Sequence, residues 1–275
     1  MFFSLTFFIF LICWEGRVIN DILILVLAPI FLIISFFYSS VGFAGGSSYI
    51  AILVLVGVNL YAVPPISLAL NIIVSSSALF NYLRAGHLSL RLSIPLLISV
   101  PFAFIGGSIV LPEKILTFIF VISLFCASAA LLLSGRKLTV QNEKMRKLNL
   151  DLTKTTLITC PLGALLGGIS GLVGIGGGIW LSPILIMSGL ANPKEAAASA
   201  SLFILTNSIS GFIAHYINNI KNIDFDLVMP LSVIVLFGGI LGSRLGAFKF
   251  DHNKIIMIIG VLVALAAINL ATKLF

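Results

Sequence analysis

Two glycine-rich segments carry the residues best suited to binding chemistry. The segments SSVGFAGGSS at 39–48 and SGLVGIGGG at 170–178 each stand between a long and a short apolar segment. Glycines let the backbone leave helical geometry, and a helix that starts after such a break presents free N–H groups and the positive end of its dipole. Ser47 and Ser48 add hydroxyl donors, and neither segment contains an acidic residue. The pattern predicts an anion site, with close helix packing as the alternative use of the glycines.

Polar side chains recur in the long apolar segment that follows each break. Asn71 and Ser75 share one helical face in the first copy, as Asn207 and Ser210 do in the second. Such side chains either hydrogen-bond neighbouring helices or line a pathway, and the sequence leaves both roles open. Ser75 and Asn207 occupy equivalent positions, and we expect this pair in the pathway.

Three ionisable residues lie near the ends of apolar segments. His215 either titrates near neutral pH and couples protons to transport or is a histidine at the membrane interface. Arg84 is expected to reach the interface as a topology anchor. Arg244 either attracts an anion at the cytoplasmic mouth or marks the cytoplasmic side.

The sequence therefore predicts a substrate-binding set and no catalytic set. The three histidines lie outside any nucleophile pattern, the three cysteines show no metal or disulfide spacing, and no Walker motif is present. We expect no enzymatic activity, no cofactor and no metal. The predicted binding residues are Gly42, Gly45, Gly46, Ser47, Ser48, Asn71, Ser75, Gly174, Gly176, Gly177, Gly178, Asn207, His215 and Arg244.

The amino-acid composition indicates that the helices carrying these residues fold in a lipid bilayer. Of the 275 residues, 60% are hydrophobic and 9% are charged, against about 25% charged in soluble domains. The net charge of +7 comes from basic residues placed between apolar runs, as the positive-inside rule produces. We therefore expect a partner bilayer and no nucleic acid.

Spanning helices need about 20 mostly apolar residues, and the chain contains a series of such segments with a short one after each glycine-rich junction. Residues 1–13 are interpreted as an uncleaved apolar N-terminus. The segments are Asp21–Gly42, Ser48–Val58, Pro65–Tyr82, Leu92–Leu111, Ile115–Leu133, Thr155–Val173, Ile179–Leu190, Ala196–Ile217, Leu227–Ala247 and Ile255–Ala271.

The order of segments repeats after residue 154. The string VGFAGG at 41–46 corresponds to VGIGGG at 173–178, and Pro95 to Pro230. We predict an all-α polytopic membrane protein of two homologous repeats, 1–134 and 155–275, joined by a basic cytoplasmic linker at 135–154. Five crossings per half make the repeats inverted and put 12 of 16 basic residues inside, whereas four make them parallel and put 11 inside. Inverted repeats are therefore favoured.

One known family resembles this sequence over nearly all of the chain from about Leu23. The string VGIGGGIWLSPIL at 173–185, its degenerate copy at 41–46 and GGILGSRLG at 238–246 resemble the TauE/SafE sulfite-exporter family of membrane permeases. The resemblance implies a plasma-membrane permease, of the inner membrane in a bacterium, for small sulfur-containing or organic anions such as sulfite and sulfonates. Ala44 and Ala51 stand where the second copy has Gly176 and Pro183, which predicts unequal half-sites.

We expect a secondary transporter in which two halves rock about a central anion site. A passive anion channel and a permease for other small organic acids are the alternatives, and a membrane-embedded enzyme or assembly subunit is a third. A coupling proton or ion, homo-oligomer assembly, the direction of transport and the identity of the anion stay open.

Overall fold

The computed structural model describes residues 24–140, 152–219, 225–249 and five further positions between 261 and 268. The predicted apolar N-terminus, much of the basic linker and most of the last predicted segment lie outside the described residues. The described helices are α1 (Ile24–Ser39), α2 (Gly46–Leu55), α3 (Val63–Arg84), α4 (Leu90–Leu96), α5 (Ser99–Ser108), α6 (Glu113–Val140), α7 (Leu152–Val173), α8 (Gly178–Met187), α9 (Pro193–Asn219) and α10 (Phe225–Phe248).

Six described stretches are long and apolar enough to cross a membrane, which confirms the all-α polytopic class. Five of them are α3, α6, α7, α9 and α10, and the sixth is α4 and α5 together, Leu90–Ser108. The regular helix of that span is interrupted at Leu97 and Ile98, because Pro95 and Pro101 cannot donate helical hydrogen bonds. The two short helices, α2 and α8, have ten residues each, or about 15 Å of rise.

Helix α10 runs parallel to α1 in very close contact. Gly238 lies against Ser35, and two turns later Gly246 lies against the carbonyl of Ser40. A β-carbon at either glycine would overlap these atoms, so the approach depends on small residues, as in other membrane helix pairs.

Helix α10 is also parallel to α3. Ser77 lies beside Gly239, and one turn later the amide of Asn81 donates a 2.8 Å hydrogen bond to the Ser243 hydroxyl. Residue numbers rise together along α3 and α10, so these two helices are parallel. Because α1 is also parallel to α10, all three helices run in the same direction.

Helices α5, α7 and α9 form a second parallel set. Along α5 and α7, Ser99 contacts Gly167 and, one turn later, Ala103 contacts Gly171. Along α4, α5 and α9, Ser93 contacts Ser199 and, further on, Ser99 contacts Asn207. This set is antiparallel to the first, because Leu68 near the start of α3 meets Gly211 late in α9. Tyr82 near the end of α3 correspondingly packs with Ala197 near the start of α9. Helices α3 and α9 therefore pack antiparallel, and they are the most deeply buried of the six described spans.

Basic residues gather at one end of this bundle. Lys194 at the start of α9 donates a 3.2 Å hydrogen bond to the carbonyl of Ala247 at the end of α10, and the His87 Nε2 donates another to the same oxygen. Arg84 and Lys249 lie at this end by their positions on α3 and after α10, whereas Lys114 follows the end of α5 at the opposite end.

Candidate functional site

Each glycine-rich junction is a break between two helices. Helix α1 ends at Ser39 and α2 begins at Gly46, while α7 ends at Val173 and α8 begins at Gly178. The residues before the short helices, Gly45 and Gly177, have φ of +104° and +74°, a backbone region that side chains with a β-carbon avoid. No side chain caps either short helix, so the first N–H groups of both are available to another acceptor.

The two breaks meet on one face of α3. The Ser67 hydroxyl donates a 2.8 Å hydrogen bond to the carbonyl of Gly174 in the second break, and it lies 3.3 Å from the carbonyl of Gly46 beside the first. The Asn71 amide nitrogen donates to the same Gly174 oxygen at 3.3 Å. One turn of α3 therefore holds both interruptions together inside the bundle.

Helix α3 can reach the breaks because its polar residues recur every four positions. Ser67, Asn71 and Ser75 lie on one stripe, and all three are completely buried. Ser75 donates its hydroxyl proton to the carbonyl of Asn71 in its own helix at 2.5 Å. The Ser75 hydroxyl oxygen can therefore only accept a further hydrogen bond.

Six buried polar atoms have no hydrogen-bond partner within the described residues. Five of them lie in or next to the breaks, namely Tyr49 Oη, Asn71 Oδ1, Ser170 Oγ, Trp180 Nε1 and Ser208 Oγ. The sixth, Asn207 Nδ2, lies on α9 where that helix meets α5. An unpartnered buried polar atom costs about 1–3 kcal/mol, and such a group in a native protein calls for a specific explanation.

Side chains with unpartnered atoms lie close to both breaks. The Ser208 hydroxyl lies 3.4 Å from the point where a β-carbon on Gly176 would stand, and Asn71 Oδ1 lies 3.0 Å from the equivalent point on Gly46. The β-carbon of Ser170 lies 3.2 Å from the equivalent point on Gly177. Trp180 adds an indole N–H in the first turn of α8.

Five of the six unpartnered atoms can donate a hydrogen bond. The orientation of Asn207 follows from Ser99, whose hydroxyl donates to Asn207 Oδ1 at 2.6 Å and leaves the Nδ2 protons free. Asn71 has the opposite orientation, since its Nδ2 donates to Gly174 and its Oδ1 is unpartnered. The site is thus rich in donors, with one amide oxygen as an acceptor.

Ser47 and Ser48 lie at the start of α2, as predicted, and bond to α1. The Tyr38 hydroxyl is 3.1 Å from Ser47 Oγ and 2.7 Å from Ser48 Oγ. These contacts fix the start of α2 against the end of α1, so the two hydroxyls have a structural partner in this conformation.

His215 lies next to the second break and contacts its helix. Its Nε2 donates a 2.9 Å hydrogen bond to the carbonyl of Gly171 in the last turn of α7, and the side chain is buried. The residue therefore joins α9 to α7 three residues before Gly174.

Arg244 lies apart from the two breaks. With Arg84 it lines a separate cavity of about 570 Å³ between α3 and α10, whose lining contains none of the break residues. The other thirteen predicted residues belong to the breaks or to α3 and α9 beside them.

Sequence reasoning missed several residues that the structure places at the breaks. Ser67 is four residues before Asn71, so the same helical spacing that indicated Asn71 could have identified it. Tyr38 and Tyr49 lie within apolar stretches, where an aromatic residue is ordinarily part of the core. No feature of the sequence distinguishes them.

Charged and metal-binding groups are scarce in this region. Neither 39–48 nor 170–180 contains an acidic or basic residue. Across the described part of the chain, no group of three histidine, cysteine or acidic side chains could hold a metal ion.

Interrupted helices that bring backbone groups and unpartnered polar atoms together among membrane spans define a class, the polytopic membrane transporters. The chain belongs to one family of that class, described as sulfite exporter TauE/SafE, whose sequence model matches residues 27–270. This confirms the family predicted from the glycine-rich strings. The protein is accordingly a multi-pass membrane protein, and the plasma membrane is the usual location for the family.

Individual relatives agree with this class. A probable membrane transporter protein of Sinorhizobium fredii is 31% identical over 252 residues, covering 89% of this chain and 96% of its own length. A probable membrane transporter protein of Methanocaldococcus jannaschii is 25% identical, covering 86% of this chain and 93% of its own. The sulfite exporter TauE/SafE family protein 1 of Arabidopsis thaliana is 30% identical over 115 residues, or 41% of this chain and 25% of its own length. No solved structure matches the chain.

Proposed function

We propose that this transporter moves a small anion, of the sulfite or organosulfonate type, through a site where the two breaks meet. The observation that carries the proposal is the group of five unpartnered donors, four of which lie beside two uncapped helix starts. Donors and helix N-termini favour negative charge. Sulfite and sulfonates present several acceptor oxygens to such a site, and the family's description names sulfite.

The absence of charge from the breaks favours reversible binding. A fixed arginine in a buried site would hold an anion strongly, whereas neutral donors supply the same hydrogen bonds with less Coulomb energy. A transporter must release its solute on the other side of the membrane. The neutral donor set, with Asn207 and Ser208 on α9 and Ser170 on α7, therefore fits a carrier.

The helix directions support two inverted repeats of five crossings. Helices α1 and α7 occupy equivalent positions in the two halves and run in opposite directions, as do α3 and α9. Residues 40–62 and 174–192 return the chain across the bundle through a break and a short helix. Inverted repeats that meet at broken helices suit alternating access about a central site.

The basic end of the bundle supports a cytoplasmic orientation for the ends of α3 and α10. From this side an anion leaves the negative cell interior downhill, by about 2.3 kcal/mol per charge per 100 mV. Export driven by the membrane potential follows from that sign. In a bacterium the membrane in question is the inner membrane.

The proposal is tested with proteoliposomes loaded with labelled sulfite or sulfoacetate. Ser170→Ala with Ser208→Ala removes two donors, and we expect at least a tenfold loss of flux, since a hydrogen bond to a charged group is worth about 1.5–3 kcal/mol. Ser201→Ala is the matched control, because Ser201 is buried in α9 but donates to the carbonyl of Ala198 in its own helix. Normal flux through the folded double variant contradicts the site.

The same vesicles separate a carrier from a channel and identify the anion class. Saturable flux that is accelerated by anion on the opposite side indicates alternating access, whereas steady single-channel current indicates a pore. Competition by a panel of sulfite, sulfonates and carboxylates ranks the candidates. A preference for carboxylates would indicate that the substrate is another small organic acid and not a sulfur-containing anion.

A further inference from the structure

A groove runs along the outer surface of the bundle between α3 and α10. It consists of two cavities, of about 570 and 590 Å³, that share Ser77, Phe80 and Ile240 in their linings. Phe80 and Ile240 are exposed at 58% and 42%, so the groove opens sideways. In a membrane-spanning bundle this side faces lipid.

The end of the groove near the basic end of the bundle is cationic. Arg84 from α3 and Arg244 from α10 both line the first cavity, together with the polar side chains of Ser77 and Asn81. The Arg84 guanidinium lies over the Phe80 ring, 5.7 Å from its centroid, which orders the side chain. None of the described residues that line this cavity is acidic, so both arginine charges can interact with an anion.

The rest of the groove is apolar. The second cavity is lined mainly by aliphatic and aromatic side chains, among them Ile72, Ile73, Val233 and Leu236. A soluble anion gains nothing from such a surface. A hydrocarbon chain fits it, because the surface already lies in the hydrophobic zone of the bilayer.

The dimensions of the groove match one leaflet of a membrane. On α3 it extends from Ile72 to Arg84, and on α10 from Ser232 to Arg244. Each interval is twelve residues, or about 18 Å of helix, and half of a bilayer's hydrocarbon core is about 15 Å. The arginines therefore lie at the depth of phosphate groups while the apolar part reaches toward the bilayer centre.

We propose that the α3–α10 groove is a binding site for one phospholipid with an anionic headgroup, whose phosphate contacts Arg84 and Arg244 and whose acyl chain lies along the groove. Basic pockets between membrane helices on the cytoplasmic side are suited to such headgroups. The site does not depend on the proposed transport function, since its lining contains none of the break residues.

The test is native mass spectrometry of the purified full-length chain titrated with phosphatidylglycerol or phosphatidylcholine. We expect one preferred phosphatidylglycerol adduct and weaker phosphatidylcholine adducts. Arg84→Gln with Arg244→Gln should weaken the phosphatidylglycerol adduct by about 30-fold, from about 1 kcal/mol per basic residue. The control is Lys249→Gln, which removes a charge at the same end but outside the cavity.

A second pair of variants tests the acyl-chain part. Val233→Trp fills the groove and should also abolish the preferred adduct, whereas Phe237→Trp changes an exposed residue of the same helix outside both linings and should not. Gel filtration confirms that each variant is folded.

Four outcomes overturn the lipid site. The first is equal binding of both lipids, and the second is an adduct that survives the double arginine substitution. The third is displacement of the adduct by inorganic phosphate or sulfate together with no effect of Val233→Trp, which indicates a site for a soluble anion. The fourth is a change of oligomeric mass caused by Val233→Trp, which indicates that a second copy of the chain covers this face.

Discussion

The Ser67 hydroxyl donates a 2.8 Å hydrogen bond to the carbonyl of Gly174, so a helix of the first half of the chain holds the backbone break of the second half. The same oxygen of Ser67 lies 3.3 Å from the Gly46 carbonyl. One small side chain thus touches both interruptions. The relative position of the two helix starts depends on it.

Ser67→Ala should lower transport more than stability. We expect a loss of about 1 kcal/mol in the free energy of unfolding, the value of one neutral hydrogen bond, because Asn71 still donates to Gly174. The flux should fall severalfold, since the two helix starts lose their common anchor. Thermal unfolding and vesicle flux measure the two effects, and Ser76→Ala, an exposed residue that bonds within α3, is the control. Equal flux in both variants contradicts the anchoring role.

Gly171→Ala should destabilise the bundle, whereas Gly168→Ala should not. A β-carbon on Gly171 would overlap the backbone of Ala103, while one on Gly168 would meet only the Phe102 carbonyl at 3.8 Å. Overpacking of this kind costs about 1–3 kcal/mol. Unfolding in detergent, followed by circular dichroism, compares the two variants. Similar midpoints for both would show that α5 and α7 do not depend on this contact.

His215→Leu and His215→Gln should differ in stability. Leucine leaves the Gly171 carbonyl without the donor it has in the native chain, at a cost of about 1–3 kcal/mol. The glutamine amide can still donate, so this variant should recover most of the loss. The comparison uses the same unfolding measurement, with His87→Gln as a control at the bundle end. If leucine is tolerated as well as glutamine, the hydrogen bond contributes little.

Single cysteines should report the direction of the crossings in a background in which the three native cysteines are replaced. His87→Cys and Lys194→Cys should react with an impermeant thiol reagent from the same side, because both native side chains bond to the Ala247 carbonyl. Lys114→Cys should react from the opposite side. The arrangement with four crossings per half puts positions 87 and 194 on opposite sides, so the labelling pattern distinguishes the two topologies.

The order of the spans could be predicted from the sequence because about 20 apolar residues in a row have few other uses. The bounds differ by a few residues, as at α3, predicted as Pro65–Tyr82 and observed as Val63–Arg84. The interruption between α4 and α5 was not predicted, although Pro95 and Pro101 could have indicated it.

The site was only partly predictable, for a physical reason. Backbone breaks have a strong local signal, since Gly45 and Gly177 adopt positive φ, and the sequence therefore located them. The contacts that surround a break come from distant helices, as with Ser67 and Ser208. Their placement depends on helix rotation and packing, which one sequence does not specify. The repeat arrangement and the binding roles of the fourteen residues stay predictions.

The tight approach of α10 to α1 has a consequence for how the protein is made. The Ser39 hydroxyl lies 3.5 Å from the carbonyl of Gly238, 199 residues later in the chain. Helix α1 is therefore inserted into the membrane long before α10 has been synthesised, and until then the face of α1 that will contact α10 is exposed to lipid or to the insertion machinery. The α5–α7 contact, by contrast, closes early. The contact between α1 and α10 should thus form only after nearly all of the other described helices have entered the membrane.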